Sequence, residues 1–289
     1  MLVVTTPTPP KAARADDFDA VLDRLSPIER FNVRFVRRSF DIRPFDRAMR
    51  WCQEHIGARW IRAVTGNLVQ ISGLDRIPPP VPGQSIIWAS NHRTFFDMYV
   101  ANAILFAHGY KERVLYPVRS TFFYDTVPGF FVNGVMSFWS MYPPVFRDRK
   151  RASINHTAFS ELSRAVARGR SVGIHPEGAR NHGDPYQLLP AQSGIGRLIH
   201  LAKVPVVPFF INGLTNDIGE QIVSNFSGRG PKVHLVFGPT VELGGLLDAP
   251  GTGKVYREIA ERVTADIAKL GEEERALRSA QGDVQSSAT

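Results

Sequence analysis

Between Ser85 and Leu105 the chain reads SIIWASNHRTFFDMYVANAIL, and no other stretch restricts the fold as much. Its first six residues are apolar or small, the mark of a short buried strand, and from Phe95 onward apolar residues recur at helical spacing. The polar turn between them holds Asn91, His92, Arg93 and Thr94, with Asp97 just inside the helix. On one continuous helix His92 and Asp97 would stand about 140° apart, because each residue advances about 100°. With His92 at the strand end or on the turn, a carboxylate in the first helical turn can reach back to one ring nitrogen. The other nitrogen is then free to accept a proton from a hydroxyl. With eight histidines in the chain such a pair also arises by chance, and alone it would as readily be a cap.

Composition narrows the partners. The net charge of +8 comes mostly from arginine and favours an anionic partner: a phosphorylated small molecule, an anionic membrane surface or nucleic acid. The 19 phenylalanines lean toward an apolar ligand. The single cysteine, Cys52, leaves no intramolecular disulfide and no cysteine-based zinc site, and reads as a buried structural thiol. No window approaches about 18 consecutive apolar residues, so a conventional membrane span is not expected. The nearest candidate, 121–146, is broken by Asp125, Pro128, Gly129, Asn133, Gly134 and the pair Pro143-Pro144.

In chain order, residues 1–25 read as a disordered tail without a secretory signal. Residues 26–66 form an amphipathic helical hairpin that turns near Arg43-Pro44. It mixes Phe31, Phe35, Phe40, Phe45, Trp51, Trp60 and Ile61 with Arg34, Arg37, Arg38, Arg43, Arg47, Arg50, Arg59 and Arg62. Such a hairpin suits a lipid headgroup layer, and equally a helix pair packed on the core with a solvated basic face. Strands follow at 67–72, 85–90, 113–118, 171–175, 206–210 and 233–237, with helices at 152–168, 193–203 and 254–270. This alternation predicts an α/β fold, a largely parallel sheet flanked by helices, over 67–278. The tail 279–289 is polar and expected to be disordered.

Four blocks stand in one order: Asn91-His92 with Asp97; Phe146-Arg147; Glu177-Gly178-Ala179-Arg180; and Val204-Pro205-Val206-Val207-Pro208. Over roughly 67–240 the chain resembles the glycerolipid acyltransferase family, the bacterial lysophosphatidic acid (1-acyl-sn-glycerol-3-phosphate) acyltransferases in particular. The resemblance implies a fold of the glycerol-phosphate acyltransferase type. It also implies acyl transfer from acyl-CoA or acyl carrier protein to a glycerol hydroxyl, with no cofactor and no metal. His92 would be the general base and Asp97 its orienting partner. Arg147, Glu177, Gly178 and Arg180 would line the site for the phosphate of the acceptor, and the fourth block would shape the donor side.

The residue types fit those roles. A guanidinium offers a planar fork of donors to a phosphate. Gly178 lets backbone approach a ligand, and Glu177 could anchor Arg180 or receive a glycerol hydroxyl. Turn amides or nearby donors would hold the developing oxyanion, and the acyl chain would lie along Phe122 to Phe146. The third block departs from the family pattern at Ala179, usually Thr, and at His175, usually apolar and read here as a satisfied strand-end histidine. Those departures keep other acceptors open, a lysophospholipid, an aminolipid or a glycolipid. A non-catalytic membrane lipid-binding protein on the same fold is the rival from another class. The expected partners are an acyl thioester donor, a phosphorylated glycerolipid and an anionic membrane surface, at whose cytoplasmic face the protein would sit as a peripheral or monotopic enzyme. Lipid phosphate accounts for the arginines without nucleic acid.

Overall fold

The computed structural model describes residues 22–146, 148, 151 and 155–281. Its sheet is built around the strand that carries the polar turn. We number the strands β1 (Val69–Ser72), β2 (Ile87–Ser90), β3 (Tyr116–Arg119), β4 (Met141–Val145), β5 (Val172–Ile174), β6 (Val206–Asn212) and β7 (Val233–Phe237). The main sheet has the order β1-β7-β6-β2-β5. In β2 Ile87 pairs in parallel with Val172 of β5 on one side and Val206 of β6 on the other. β2, β6 and β7 are buried at every position, which is why they read as unbroken apolar runs rather than as alternating ones. β3 and β4 form a second parallel pair, tied to β5 by a bridge between Leu115 and Val172.

The helices are α1 (Pro27–Asp41), α2 (Arg43–Cys52), α3 (Ala58–Thr65), α4 (Asp97–Ala107), α5 (Val127–Ser137), α6 (Asn155–Ala167), α7 (Ser193–Ala202), α8 (Ile218–Ser227) and α9 (Gly253–Ala280). They flank the sheet: α7 packs along α9, which lies on β6 and β7, and α4 packs on α3. The expected α/β architecture is therefore present, with one departure in strand direction. β7 runs antiparallel to β6. The intervening α8 packs on α3 instead of crossing the sheet face, so the chain re-enters from the end at which it left.

The N-terminal hairpin is present as α1 and α2, and its second arm continues through a π-helical turn, Gln53–Gly57, into α3. Tertiary contacts explain that turn. Gln53 is buried and its Nε2 donates to Ser137 O and Ser140 Oγ, both at 2.8 Å. A Cβ on Gly57 would come 2.8 Å from Phe138, so the helix winding brings both residues inward. α1 opens on a capping box in which Ser26 and Glu29 exchange backbone and side-chain hydrogen bonds.

The boundary expected at 66/67 is no break in packing, because Val33, Val36, Phe40 and Ile61 belong to the same core as the strands. Arg113, 1% exposed, locks the hairpin down. Its guanidinium donates to Ser39 O at 2.9 Å, Asp46 Oδ1 at 3.0 Å and Phe138 O at 2.6 Å, and lies 3.8 Å from the centre of the Phe40 ring. Burial lowers its pKa to about 10, which still leaves it charged at neutral pH.

Several expectations at the margins change. Leu22 and Leu25 are buried, so order begins before residue 26; 1–21 lie outside the described residues. α9 runs on to Ala280 because Glu274 and Arg278, one turn apart, pair inside the protein at 2.8 Å; 282–289 lie outside the description. Cys52 is half-buried rather than buried. The aromatic segment 121–146 folds as a turn, α5 and β4, and the proline pair is accommodated because β4 is an edge strand. Among the described residues no helix is long and apolar enough to cross a membrane.

Replacing Arg113 would leave Asp46 facing Arg170 alone and the carbonyls of Ser39 and Phe138 without their donor. Arg113→Ala is expected to lower unfolding free energy by about 3 kcal/mol, the scale for breaking a buried pair, as read by urea denaturation.

Candidate active site

β2 ends at Ser90, and the next residue ties the turn to the neighbouring strand. Asn91 Oδ1 accepts from Ile211 N at 2.9 Å and its Nδ2 donates to Ile211 O at 2.8 Å, so the amide continues the pairing with β6. The chain then turns through His92, Arg93 and Thr94 before α4 begins at Asp97. His92 Nδ1 lies 3.0 Å from Asp97 Oδ2. The same oxygen accepts from Arg93 N at 2.7 Å and Thr94 N at 2.9 Å, while Oδ1 accepts from Thr94 Oγ1 at 2.6 Å. Asp97 is 1% exposed. Burial alone would raise its pKa, but the hydrogen bond and charge of His92, with His175 and Thr94, outweigh that and hold it below the ordinary carboxylate value. An ionised carboxylate only accepts, so Nδ1 of His92 carries the hydrogen and Nε2 keeps its lone pair.

The turn amides are not free to hold an oxyanion. Those of Arg93 and Thr94 go to Asp97, that of His92 to Glu177 Oε1 at 2.8 Å, and those of Phe95 and Phe96 to Asn216 Oδ1 and Thr94 Oγ1. The expectation that these amides stabilise a tetrahedral intermediate is corrected accordingly.

Glu177 also has a different place from the one expected. It is 3% exposed, and its second oxygen accepts from Leu189 N at 2.8 Å. The carboxylate thus clamps the turn of His92 to the 176–192 loop through two backbone amides and does not anchor Arg180, which bonds Asn216. Gly178 sits at φ +65, and a Cβ there would come 2.9 Å from Gln192 Cγ, so glycine is required for the turn itself. Arg180 is half-buried and donates to Asn216 Oδ1 at 3.2 Å. That oxygen also takes the Phe95 N–H at 3.0 Å, which puts the guanidinium beside the first turn of α4. Arg147 lies outside the described residues. The nearby Arg151 pairs with Glu29 at 2.8 Å.

Three contributors carry no local signal. Asn216 is 121 positions from the residue it supports. Asn181 donates its amide to His92 O at 2.7 Å, and Arg93 donates to Asn181 O and Gly183 O, both at 2.7 Å. His175, expected to be a satisfied strand-end residue, is that and more. Its Nδ1 faces Asn91 O at 2.9 Å, and its ring lies flat on His92 with centroids 3.9 Å apart and planes 10° from parallel. Burial first, and then the charge of His92, lower its pKa to about 3. The donor atoms of His92, Asp97 and His175 lie within 4.8 Å of one another, as a metal site would require. In the arrangement seen, however, four hydrogen bonds occupy the carboxylate and the rings stack face to face, so the cluster is organised for hydrogen bonding.

A half-buried histidine paired with a buried carboxylate at the C-terminal edge of a mostly parallel sheet, beside an arginine, is an arrangement able to accept a proton next to a cation. The sequence profile of the Acyltransferase family matches residues 68–212, half of the chain, and the chain belongs to that family. Among solved structures it is similar to the crystal structure of the 1-acyl-sn-glycerophosphate (LPA) acyltransferase PlsC from Thermotoga maritima, at 18% identity and a TM-score of 0.50. The likeness covers 89% of this chain and 94% of that one. No curated protein matches.

A histidine held near 3 in the folded protein and near 6.5 in the unfolded chain makes unfolding take up a proton between those values. Stability from this group is complete above about pH 6.5 and falls as pH drops. Between about pH 7 and about pH 5, His175→Phe is expected to lose less unfolding free energy than the wild type, by at most about 2 kcal/mol, in parallel urea titrations.

Proposed function

We propose that this acyltransferase moves a fatty acyl group from a thioester, acyl-CoA or acyl carrier protein, to the free hydroxyl of a lysophosphatidate-type acceptor. The observation that carries the reading is the 3.0 Å contact between His92 Nδ1 and the buried Asp97, which leaves Nε2 as an acceptor on a ring still partly open to solvent. Nε2 takes the proton of the acceptor hydroxyl as its oxygen attacks the thioester carbonyl. The tetrahedral adduct then collapses to the ester, and the departing thiolate takes the proton back from His92. No covalent enzyme intermediate is involved. Asp97 holds the tautomer and offsets the charge of the imidazolium.

Arg180, beside the first turn of α4, is the group for the acceptor phosphate. An apolar path supports the placement of the acyl chain. Phe95, three residues past His92, stacks on Phe123 at 5.7 Å, and Phe123 meets Phe122, whose ring is 38% exposed. Each methylene buried there would contribute about 0.8 kcal/mol.

The same reading places the enzyme on the cytoplasmic face of a membrane as a peripheral protein. Supporting it, Phe31, Trp51, Ile56 and Phe131 are all more than half exposed. Arg34, Arg38, Arg43, Arg47 and Arg59 are exposed on the same N-terminal helices, with Arg43, Arg47 and Trp51 in one row along α2. Apolar side chains among cations fit an anionic lipid surface.

Labelled acyl-CoA and acyl carrier protein, offered with lysophosphatidate, lysophospholipid, aminolipid and glycolipid acceptors, test the reading directly; transfer to none of them would refute it. His92→Ala and Asp97→Ala are expected to lower kcat by about 10²-fold or more, the range for losing a general base. Arg180→Ala should raise KM for the phosphorylated acceptor by the equivalent of about 1.5–3 kcal/mol and leave the donor KM unchanged. In co-sedimentation, Trp51→Ala with Arg43→Ala and Arg47→Ala should bind anionic vesicles at least about tenfold more weakly, at roughly 1 kcal/mol per cation. Neutral vesicles should show a smaller difference.

A further inference from the structure

The register of β2 against β5 pairs Ala89 with Ile174 and so sets His175 beside Ser90, where the turn lays His92 across its ring. His175 Nδ1 is 2.9 Å from Asn91 O, 3.1 Å from Ser90 Oγ and 3.3 Å from Ser90 O. Two of those three partners are carbonyls that can only accept, so Nδ1 carries the hydrogen and donates it. One imidazole thereby grips both the residue that precedes His92 and the face of His92 itself.

We propose that His175 is a positioning residue for the base: its ring face fixes the plane of His92 while His92 takes and returns a proton. The inference rests on the reading of His92 as general base. Its physical ground is that a single hydrogen bond to Asp97 fixes one atom of the His92 ring and leaves the ring free to tilt about that contact. A flat neighbour at stacking distance removes the tilt and keeps Nε2 aimed at one point. The neighbour must also tolerate a cation. A neutral aromatic face does so, whereas a second imidazolium would repel the first. The charged groups that bear on His175 are His92 and Asp97; burial and the charge of His92 outweigh the opposing pull of Asp97 and keep it neutral. His175 is thus barred from serving as a second base by the surroundings that suit it as a support.

The test compares His175→Ala, which removes the face, with His175→Phe, which keeps a face and removes the nitrogens. In His175→Ala kcat should fall by about tenfold or more with both KM values within about twofold, and His175→Phe should restore kcat to within about threefold of wild type. The acid limb of the kcat/KM profile should be the same in wild type and His175→Phe. Nitrogen NMR relaxation of the His92 ring in substrate-free protein should show a rigid ring in wild type and His175→Phe, and added ring motion in His175→Ala. Wild-type kcat in His175→Ala, unchanged ring motion in that variant, or a His175→Phe enzyme as impaired as His175→Ala would each overturn the proposal. Full activity in His92→Ala would instead remove His92 as the base, and the NMR comparison would still decide whether His175 holds its ring.

Discussion

The site depends on one buried carboxylate. Asp97 lies at the start of α4 with almost no exposure, and four donors converge on it: the ring of His92, the amides of Arg93 and Thr94, and the hydroxyl of Thr94. A carboxylate this deep would be neutral if unpartnered, because desolvation disfavours the charged form. Saturating it with donors keeps it ionised, and the ionised form selects the hydrogen on Nδ1 of His92. Protonation state, tautomer and turn conformation are thus one interlocked choice. The amides of Arg93 and Thr94 serve that end, and those of His92 and Phe95 are taken by Glu177 and Asn216.

A second layer holds that turn from the far side of the sheet edge. Glu177 and Asn181, in the loop after β5, bond the backbone of His92, and the side chain of Asn91 bonds the backbone of Ile211 in β6. Backbone hydrogen bonds of this kind fix position more tightly than contacts between flexible side-chain ends do. Arg93 returns the favour by binding two carbonyls of the 176–192 loop. The site is therefore a junction of three chain segments, and the half-buried Arg180 beside it is supported by Asn216. Among the described residues no carboxylate pairs with this arginine, so an anion placed here would meet an uncompensated charge.

The N-terminal helices illustrate a different balance. Their exposed rows carry arginines and aromatics that suit a lipid surface, but their inner faces are part of the core. Arg113 joins them to the body through a buried charge whose donors meet two backbone carbonyls and Asp46. A hairpin fixed in this way would present its outer face to a bilayer at a constant orientation relative to the active-site edge.

Much of the fold was readable from local pattern. The buried strand before Asn91, the helix after Phe95, the later alternation of strands and helices and the five-residue step from His92 to Asp97 follow from periodicity and from the reach of a side chain across a turn. These involve residues close in sequence, and a short window contains the physics that decides them. The direction of β7, the π-helical turn at Gln53–Gly57, the backbone role of Glu177 and the stacking of His175 on His92 did not show there. Each depends on groups some 80 or more positions apart, or on how one helix packs against another, and it is the assembled sheet that brings those groups within hydrogen-bond or stacking distance. Sequence alone brought His92 and Asp97 within reach of each other across one turn; tertiary structure decided what holds them still, because burial and direction exist only once distant segments meet.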